Sequence, residues 1–333
     1  MTKTQRITGR VYDCSFPCKK FSPQTACEGQ LVRALSPFLK RVLPESVVLP
    51  TAIRVMRAVP KFRDILLWDD YNNDLPRLFK EAYRQISGDR AFNGVRSAIP
   101  YCFTGAPPHH GHTFFYKPNG ALAKTHLSKT EESPIIFLHG YGGNLLWNIW
   151  ALKKEFPTHP ILVPSGGIAW PSRSAADILK YLDDACACVR KNYGITMQSP
   201  WLMALSGGGP VAFEVAEFAP ERFKGLISIA SRPTSPSQLR FPPQFPILMI
   251  NAEKDERFPF PASRRSFELM RRRKINIHFS KVDDANHFFF LSKRVEMGRL
   301  IRKFWDNPFT CHDEGSIPEI IKRKKITVGS KKN

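Results

Sequence analysis

The sequence is short of acid. Asp and Glu number 29 against 50 Lys and Arg, a formal net charge of +21 over 333 residues. An excess of that size favours loose association with nucleic acid or anionic surfaces and carries no information about fold. It is concentrated at the ends: Lys3, Arg6, Arg10, Lys19, Lys20, Arg33, Lys40, Arg41, Arg54 and Arg57 face only Asp13, Glu28 and Glu45. The tail adds Lys322, Arg323, Lys324, Lys325, Lys331 and Lys332. Solvated termini are the plain reading of such runs, and weak electrostatic contact with anionic surfaces is the other. No aromatic-basic recognition module accompanies the charge, so specific nucleic-acid binding is not expected.

Long apolar runs are missing too. No uncharged stretch approaches the roughly 20 residues of a membrane-spanning helix. The opening MTKTQRITGR leads into no apolar segment of the secretory-signal kind. The seven cysteines are an odd, scattered set, which argues against a complete disulfide framework and makes a reducing cytoplasm the expectation. Cys14, Cys18 and Cys27 fall one ligand short of a structural zinc site. Cys186 and Cys188, two apart on an expected helix, point to different faces. The run His109-His110-Gly111-His112 offers metal donors that nothing nearby completes, so no metal is assigned. Internal repeats are absent, and so is the G-x-x-x-x-G-K-[ST] phosphate loop.

What is present is enough for a core, since 42% of the residues are hydrophobic. Before His112 the chain reads as short, proline-interrupted helices, near Gly29–Leu43 and Asp74–Ile86. Met1–Gln24 shows no period and is expected to be disordered. From His112 on, strands and helices alternate. HTFFYK and ALAKTHLS read as strands around a Pro118-Asn119-Gly120 turn. PIIFLHG, PILVPS, PWLMAL, FKGLISIAS, FPILMIN and INIHFSKV read as strands between amphipathic helices. Continuous apolar strands alternating with amphipathic helices predict an α/β fold, a mostly parallel, doubly wound sheet covered on both faces. The expected organisation is a basic N-terminal extension over 1–110, partly disordered and partly helical. An α/β domain over 111–306 and a basic tail over 307–333 follow it.

One stretch concentrates chemistry. In PWLMALSGGGPVAFEVAEFAP a strand runs into Ser206, small residues surround it, and a helix follows at once. A strand-to-helix reversal this sharp brings backbone segments together, which Ala204, Gly207, Gly208 and Gly209 permit. The pattern is close to the G-x-S-x-G nucleophile elbow, with Ala204 in place of the first glycine. A serine hydroxyl needs a base, and the base needs an orienting group. Two further strand ends supply candidates: Asp255 in Ala252-Glu253-Lys254-Asp255, and His287 in Asp283-Asp284-Ala285-Asn286-His287. Their separation of 32 residues, 287 − 255, leaves room for one helix and one strand. Glu253, Asp283 and Asp284 remain alternatives for the acid. His278 lies inside a strand and His312 beyond the last helix, so neither suits the base. The oxyanion donors are expected to be the backbone N–H groups of Gly207 and of Tyr141, in the loop His139-Gly140-Tyr141-Gly142-Gly143-Asn144. His139 itself reads as structural. Trp147, Trp150 and Trp170 read equally well as acyl-pocket lining or as core.

With PIIFLHGYGGN, ALSGGG, NAEKDERFP and ANHFF in this order, the region from about His112 to Trp305 resembles the α/β-hydrolase superfamily. The short connection from Arg232 to Phe245 leaves no room for a large cap. The likeness is therefore to small cap-less carboxylesterases, acyl-thioesterases and dienelactone-hydrolase-like members. The resemblance implies a serine esterase with Ser206, His287 and Asp255 as its triad, a small-molecule ester or thioester substrate, and no cofactor. Peptidase or perhydrolase chemistry on the same triad, or a non-catalytic binding scaffold, are the alternatives.

Overall fold

The computed structural model describes residues 9–14, 75–95, 113–119, 132–141, 145–166, 170, 174–309 and 313–314. In chain order it opens with strand β1 (Arg10–Asp13), helix α1 (Leu75–Gly88), a 3-10 segment (Arg90–Val95), β2 (Thr113–Lys117) and β3 (Ile135–Leu138). Then come α2 (Leu145–Glu155), β4 (Ile161–Pro164), α3 (Ala175–Tyr193), β5 (Trp201–Leu205), α4 (Gly208–Phe218) and β6 (Gly225–Ile229). The chain continues with β7 (Ile247–Ala252), α5 (Phe260–Arg272), β8 (Ile277–Val282), α6 (Phe289–Ser292), α7 (Arg294–Asp306) and β9 (Asp313–Glu314).

These strands form one nine-stranded sheet in the order β1-β2-β4-β3-β5-β6-β7-β8-β9. β2 is antiparallel to both β1 and β4, and the remaining pairs are parallel. β3 lies between β4 and β5, so the chain steps outward from β3 to β4 and then crosses back to β5. Loops leaving β3 and β5 therefore part in opposite directions, and an open α/β sheet has its functional crevice at such a switch point.

The apolar strands are buried on both faces because alternate residues feed two separate cores. Phe137, Met203, Ile227, Ile229 and Ile250 point to one face, where α1, α2 and α7 cover them with Ala82, Ile149, Trp150, Leu300 and Ile301. Ile136, Leu202, Ala204, Leu226 and Met249 point to the other, covered from α3, α4 and α5 by Leu182, Ala185, Phe213, Phe267 and Met270. Each large side chain buried this way contributes roughly 1.5–3 kcal/mol. The helix ends follow from local chemistry. α3 starts at Ser174, whose hydroxyl oxygen accepts from the Asp177 N–H at 3.1 Å. It stops at Gly194, whose left-handed φ of 69° would strain a residue with a side chain.

The sequence reading differs from the structure at both edges of the sheet, where β9 falls in the expected basic tail and β1 in the segment expected to be disordered. Arg10–Asp13, expected to lack regular structure, pairs with Lys117–Phe114 as the outermost strand, and Val11 is buried beneath the 3-10 segment. The expected helix at Gly29–Leu43, the strand ALAKTHLS and the histidine run 109–112 lie outside the described residues, as do Cys18, Cys27 and His312. Between β6 and β7 the chain forms neither helix nor strand. Among the described residues no helix is long and apolar enough to cross a membrane.

Candidate active site

Ser206 is held in a conformation that a serine adopts only under constraint. Its φ is +51°, the left-handed region, which costs a non-glycine residue on the order of 1 kcal/mol. Three bonds enforce it. The Ser206 N–H donates to the Ile229 carbonyl at 2.9 Å, and its carbonyl accepts from the Gly209 N–H at 2.9 Å. The Ser231 hydroxyl donates to the same carbonyl at 2.6 Å. Ser231 is in turn fixed by Asn251, whose amide N–H group donates to the Ser231 carbonyl and to the Ser263 hydroxyl, each at 3.1 Å. Ser231, Asn251 and Ser263 are all fully buried. This polar chain ties the turn after β5 to β7 and α5. The sequence reading missed it, although the lone Asn251 at the end of the apolar run FPILMIN was its signal.

The structure brings together the three side chains that the spacing singled out. His287 Nε2 lies 2.9 Å from Ser206 Oγ. On its other side, His287 Nδ1 lies 2.9 Å from Asp255 Oδ2 and 3.0 Å from Oδ1. The Arg257 and Phe258 N–H groups both donate to Asp255 Oδ1 at 2.9 Å, which fixes the carboxylate plane. A carboxylate only accepts, so Nδ1 carries the imidazole proton and the Nε2 lone pair faces the serine hydroxyl. Ser206, Asp255 and His287 are 9%, 4% and 4% exposed, so water competes weakly for these bonds. Phe258 lies parallel to the imidazole at 6.0 Å and Phe288 stands edge-on at 5.5 Å, confining the ring.

The alternative acids are engaged elsewhere. Glu253 and Asp283 pair with Lys281, and Asp284 pairs with Lys254 at 2.6 Å. His278, within β8, has Nε2 3.2 Å from the Pro308 carbonyl, just past the end of α7.

Tyr141 and Gly207 come side by side. A Cβ added to Gly207 would sit 3.5 Å from the Tyr141 nitrogen, and one added to Gly140 would sit 3.1 Å from Ser206 Cβ. Glycine at 140 lets the loop after β3 pass closely over the serine, whereas a Cβ at 207 would meet only ordinary contact. Neither the Tyr141 nor the Gly207 N–H has an acceptor among the described residues. His139, behind this loop, is fully buried and structural. Its Nε2 accepts from the Gly166 N–H at 2.8 Å, so Nδ1 carries the proton and donates to the Gly140 carbonyl at 2.6 Å. Burial pushes its pKa down from 6.5 to about 4, which keeps the ring neutral. The Gly140 carbonyl and the Tyr141 N–H belong to one planar peptide, so His139 orients that N–H. The Trp170 indole donates to the His139 carbonyl at 3.0 Å, while Trp147 and Trp150 are buried in the core with α2. Among the described residues no three His, Cys, Asp or Glu side chains form a cluster able to hold a metal.

No protein-family model matches the chain, and no curated protein matches it at a significant level. Solved structures do. A CIB-like hydrolase from Thermoplasma acidophilum is 18% identical over 59% of this chain and 93% of its own, with a TM-score of 0.42. Esterase PE8 is 18% identical over 51% of this chain and 92% of its own, with a TM-score of 0.40. The acylaminoacyl peptidase of Pyrococcus horikoshii is 14% identical over 63% of this chain but only 41% of its own, with a TM-score of 0.45. The fold is defined by the chain's own topology. A strand order of β2-β4-β3-β5-β6-β7-β8 with β2 antiparallel, and a serine on the strained turn between β5 and α4, make this an α/β-hydrolase fold.

Proposed function

We propose that the chain is a serine hydrolase that cleaves a carboxylic ester of a small molecule through an acyl-enzyme. The observation that carries this reading is the unbroken bond chain from Asp255 through His287 to Ser206 Oγ, each link about 2.9 Å. In the first step Ser206 Oγ attacks the ester carbonyl while its proton passes to His287 Nε2. Charge then develops on the carbonyl oxygen, where the Gly207 and Tyr141 N–H groups receive it, aided by the N-terminal end of α4. The intermediate collapses, the C–O bond to the alcohol breaks, and His287 gives its proton to the departing alkoxide. Water repeats the sequence on the acyl-enzyme, its proton passing through His287, and releases the acid and Ser206. Asp255 holds the tautomer and stabilises the imidazolium. These steps use protein groups and water alone.

A panel of p-nitrophenyl esters and acyl-CoA thioesters, run on the wild type and on Ser206→Ala, tests the reading. Turnover that disappears in the variant while its circular dichroism is unchanged supports it. Equal turnover by both proteins rejects it. The thioester arm reports the acyl-thioesterase alternative, which the same triad would serve.

A further inference from the structure

Three loops leave the carboxyl ends of β5, β6 and β7, and β6 lies between the other two. The first carries Ser206 and the third Asp255, so the middle loop, Ala230-Ser231-Arg232, sits between nucleophile and acid. Its backbone is pinned there. Ala230 has a φ of +49°, and its N–H donates to the Ile250 carbonyl at 2.9 Å. Ser231 is bonded to the Ser206 carbonyl, and Pro233 restricts Arg232 to extended backbone.

Arg232 is half-buried, and its Nε is fully buried without a hydrogen-bond partner. Nearby acids do not supply one. Glu253 and Asp283 are taken by Lys281, Asp284 by Lys254, and Asp255 by His287 and two backbone N–H groups. Glu256 is exposed and forms no ion pair among the described residues. A buried polar atom without a partner is uncommon in a folded protein, and one on a permanently charged group is costly unless a counter-charge meets it. A second guanidinium lies beyond the imidazole: Arg257 stacks 4.9 Å from the centre of the Phe288 ring, which itself packs against His287.

We infer that this site selects esters or thioesters bearing a second group with anionic oxygens, carboxylate or phosphate, and that Arg232 binds it. The inference rests on the serine-hydrolase reading and adds the substrate class. A planar guanidinium offers two parallel N–H donors to such a group, a match that a lysine cannot make. The chain's net charge of +21 favours encounter with the same substrates.

Two pairs of substrates test it and locate the charge. On the acyl side, p-nitrophenyl hemiglutarate is compared with p-nitrophenyl hexanoate, a neutral chain of equal length. On the leaving side, butyryl-CoA is compared with the butyryl thioester of N-acetylcysteamine. The wild type is expected to prefer the anionic member of at least one pair in kcat/KM. Arg232→Met is expected to lower that preference roughly 10- to 100-fold, and Arg232→Lys to restore part of it. No preference in either pair overturns the inference, as does a preference that persists in Arg232→Met, since the general positive field would then be its source. Calorimetry separates this from the catalytic reading. The probe follows the preferred pair: monomethyl glutarate for the acyl side, or coenzyme A for the leaving side, titrated into Ser206→Ala, is expected to bind at least about 10-fold more weakly once Arg232→Met is added. That result with no turnover of any ester would reject the hydrolase and keep the anion site; equal binding to both proteins rejects the anion site.

Discussion

Replacing Gly208 with alanine would drive a wedge between α4 and β3. The new Cβ would lie 2.5 Å from the Leu138 carbonyl oxygen and 2.7 Å from that of His139. Both neighbours are backbone, so neither can swing aside as a side chain would. Restoring ordinary contact requires α4 to retreat by roughly 0.5–1 Å, an overpacking that costs about 1–3 kcal/mol. The retreat pulls on Gly207 and Ser206, which precede the helix directly, and widens the gap to Tyr141. A displacement approaching 1 Å at reacting groups costs up to about 100-fold in rate, so kcat/KM is expected to fall roughly 10- to 100-fold. Urea denaturation and ester kinetics on the same protein read both effects. Gly88→Ala is the control: a Cβ there meets nothing within 4 Å, and stability should rise by up to about 1 kcal/mol. A Gly208→Ala protein as stable and as active as the wild type would refute the steric reasoning and the close approach of the two loops.

Three further outcomes follow from particular contacts. Asp255→Asn presents an amide where a carboxylate now accepts from Nδ1, so the wrong imidazole tautomer is favoured; kcat should fall about 10,000-fold with folding intact, and a loss under about 10-fold would contradict the assigned role. His139 ties stability to pH: the unfolded chain binds its proton below an ordinary pKa of 6.5, the folded chain only near 4. Its contribution is therefore complete above pH 6.5 and is lost as pH falls, by about 3 kcal/mol near pH 4, a slope that urea midpoints should find reduced in His139→Gln. Glu155 is a carboxylate with a 6% exposed side chain that pairs with Arg294 and Arg302 and joins α2 to α7. Glu155→Gln should cost about 2 kcal/mol at neutral pH, less than for a fully buried pair because Arg302 is half in water; a change below about 0.5 kcal/mol would show the pair to be inconsequential.

The central sheet was legible in the sequence because its strands are buried on both faces and so read as unbroken apolar runs, from PIIFL to FPILMIN. The candidate site was legible for a related reason. Polar residues just beyond strand ends emerge at the carboxyl edge: Ser206 follows Leu205 directly, Asp255 lies three residues past Ala252 and His287 five past Val282. β1 was not legible: four residues, RVYD, show only Val11 buried and depend on β2 for their hydrogen bonds. β9 is shorter still, two residues added to the edge of β8. The supporting bonds were hidden for a different reason. Which hydroxyl holds the Ser206 carbonyl depends on β6 lying beside β5, a matter of sheet order, so Ser231 and Ser263 have no signature in local pattern. Arg232 was equally silent, since a lone arginine after a strand is ordinarily a solvated one.

The proposed chemistry stands on the acidity that His287 lends to one hydroxyl. Treating the native protein with a fluorophosphonate and locating the adduct by peptide mass spectrometry measures that directly. A single adduct is expected on the peptide containing Ser206, absent from Ser206→Ala and formed far more slowly in His287→Ala. An adduct on another residue, or labelling of Ser206 that is indifferent to the loss of His287, would contradict it.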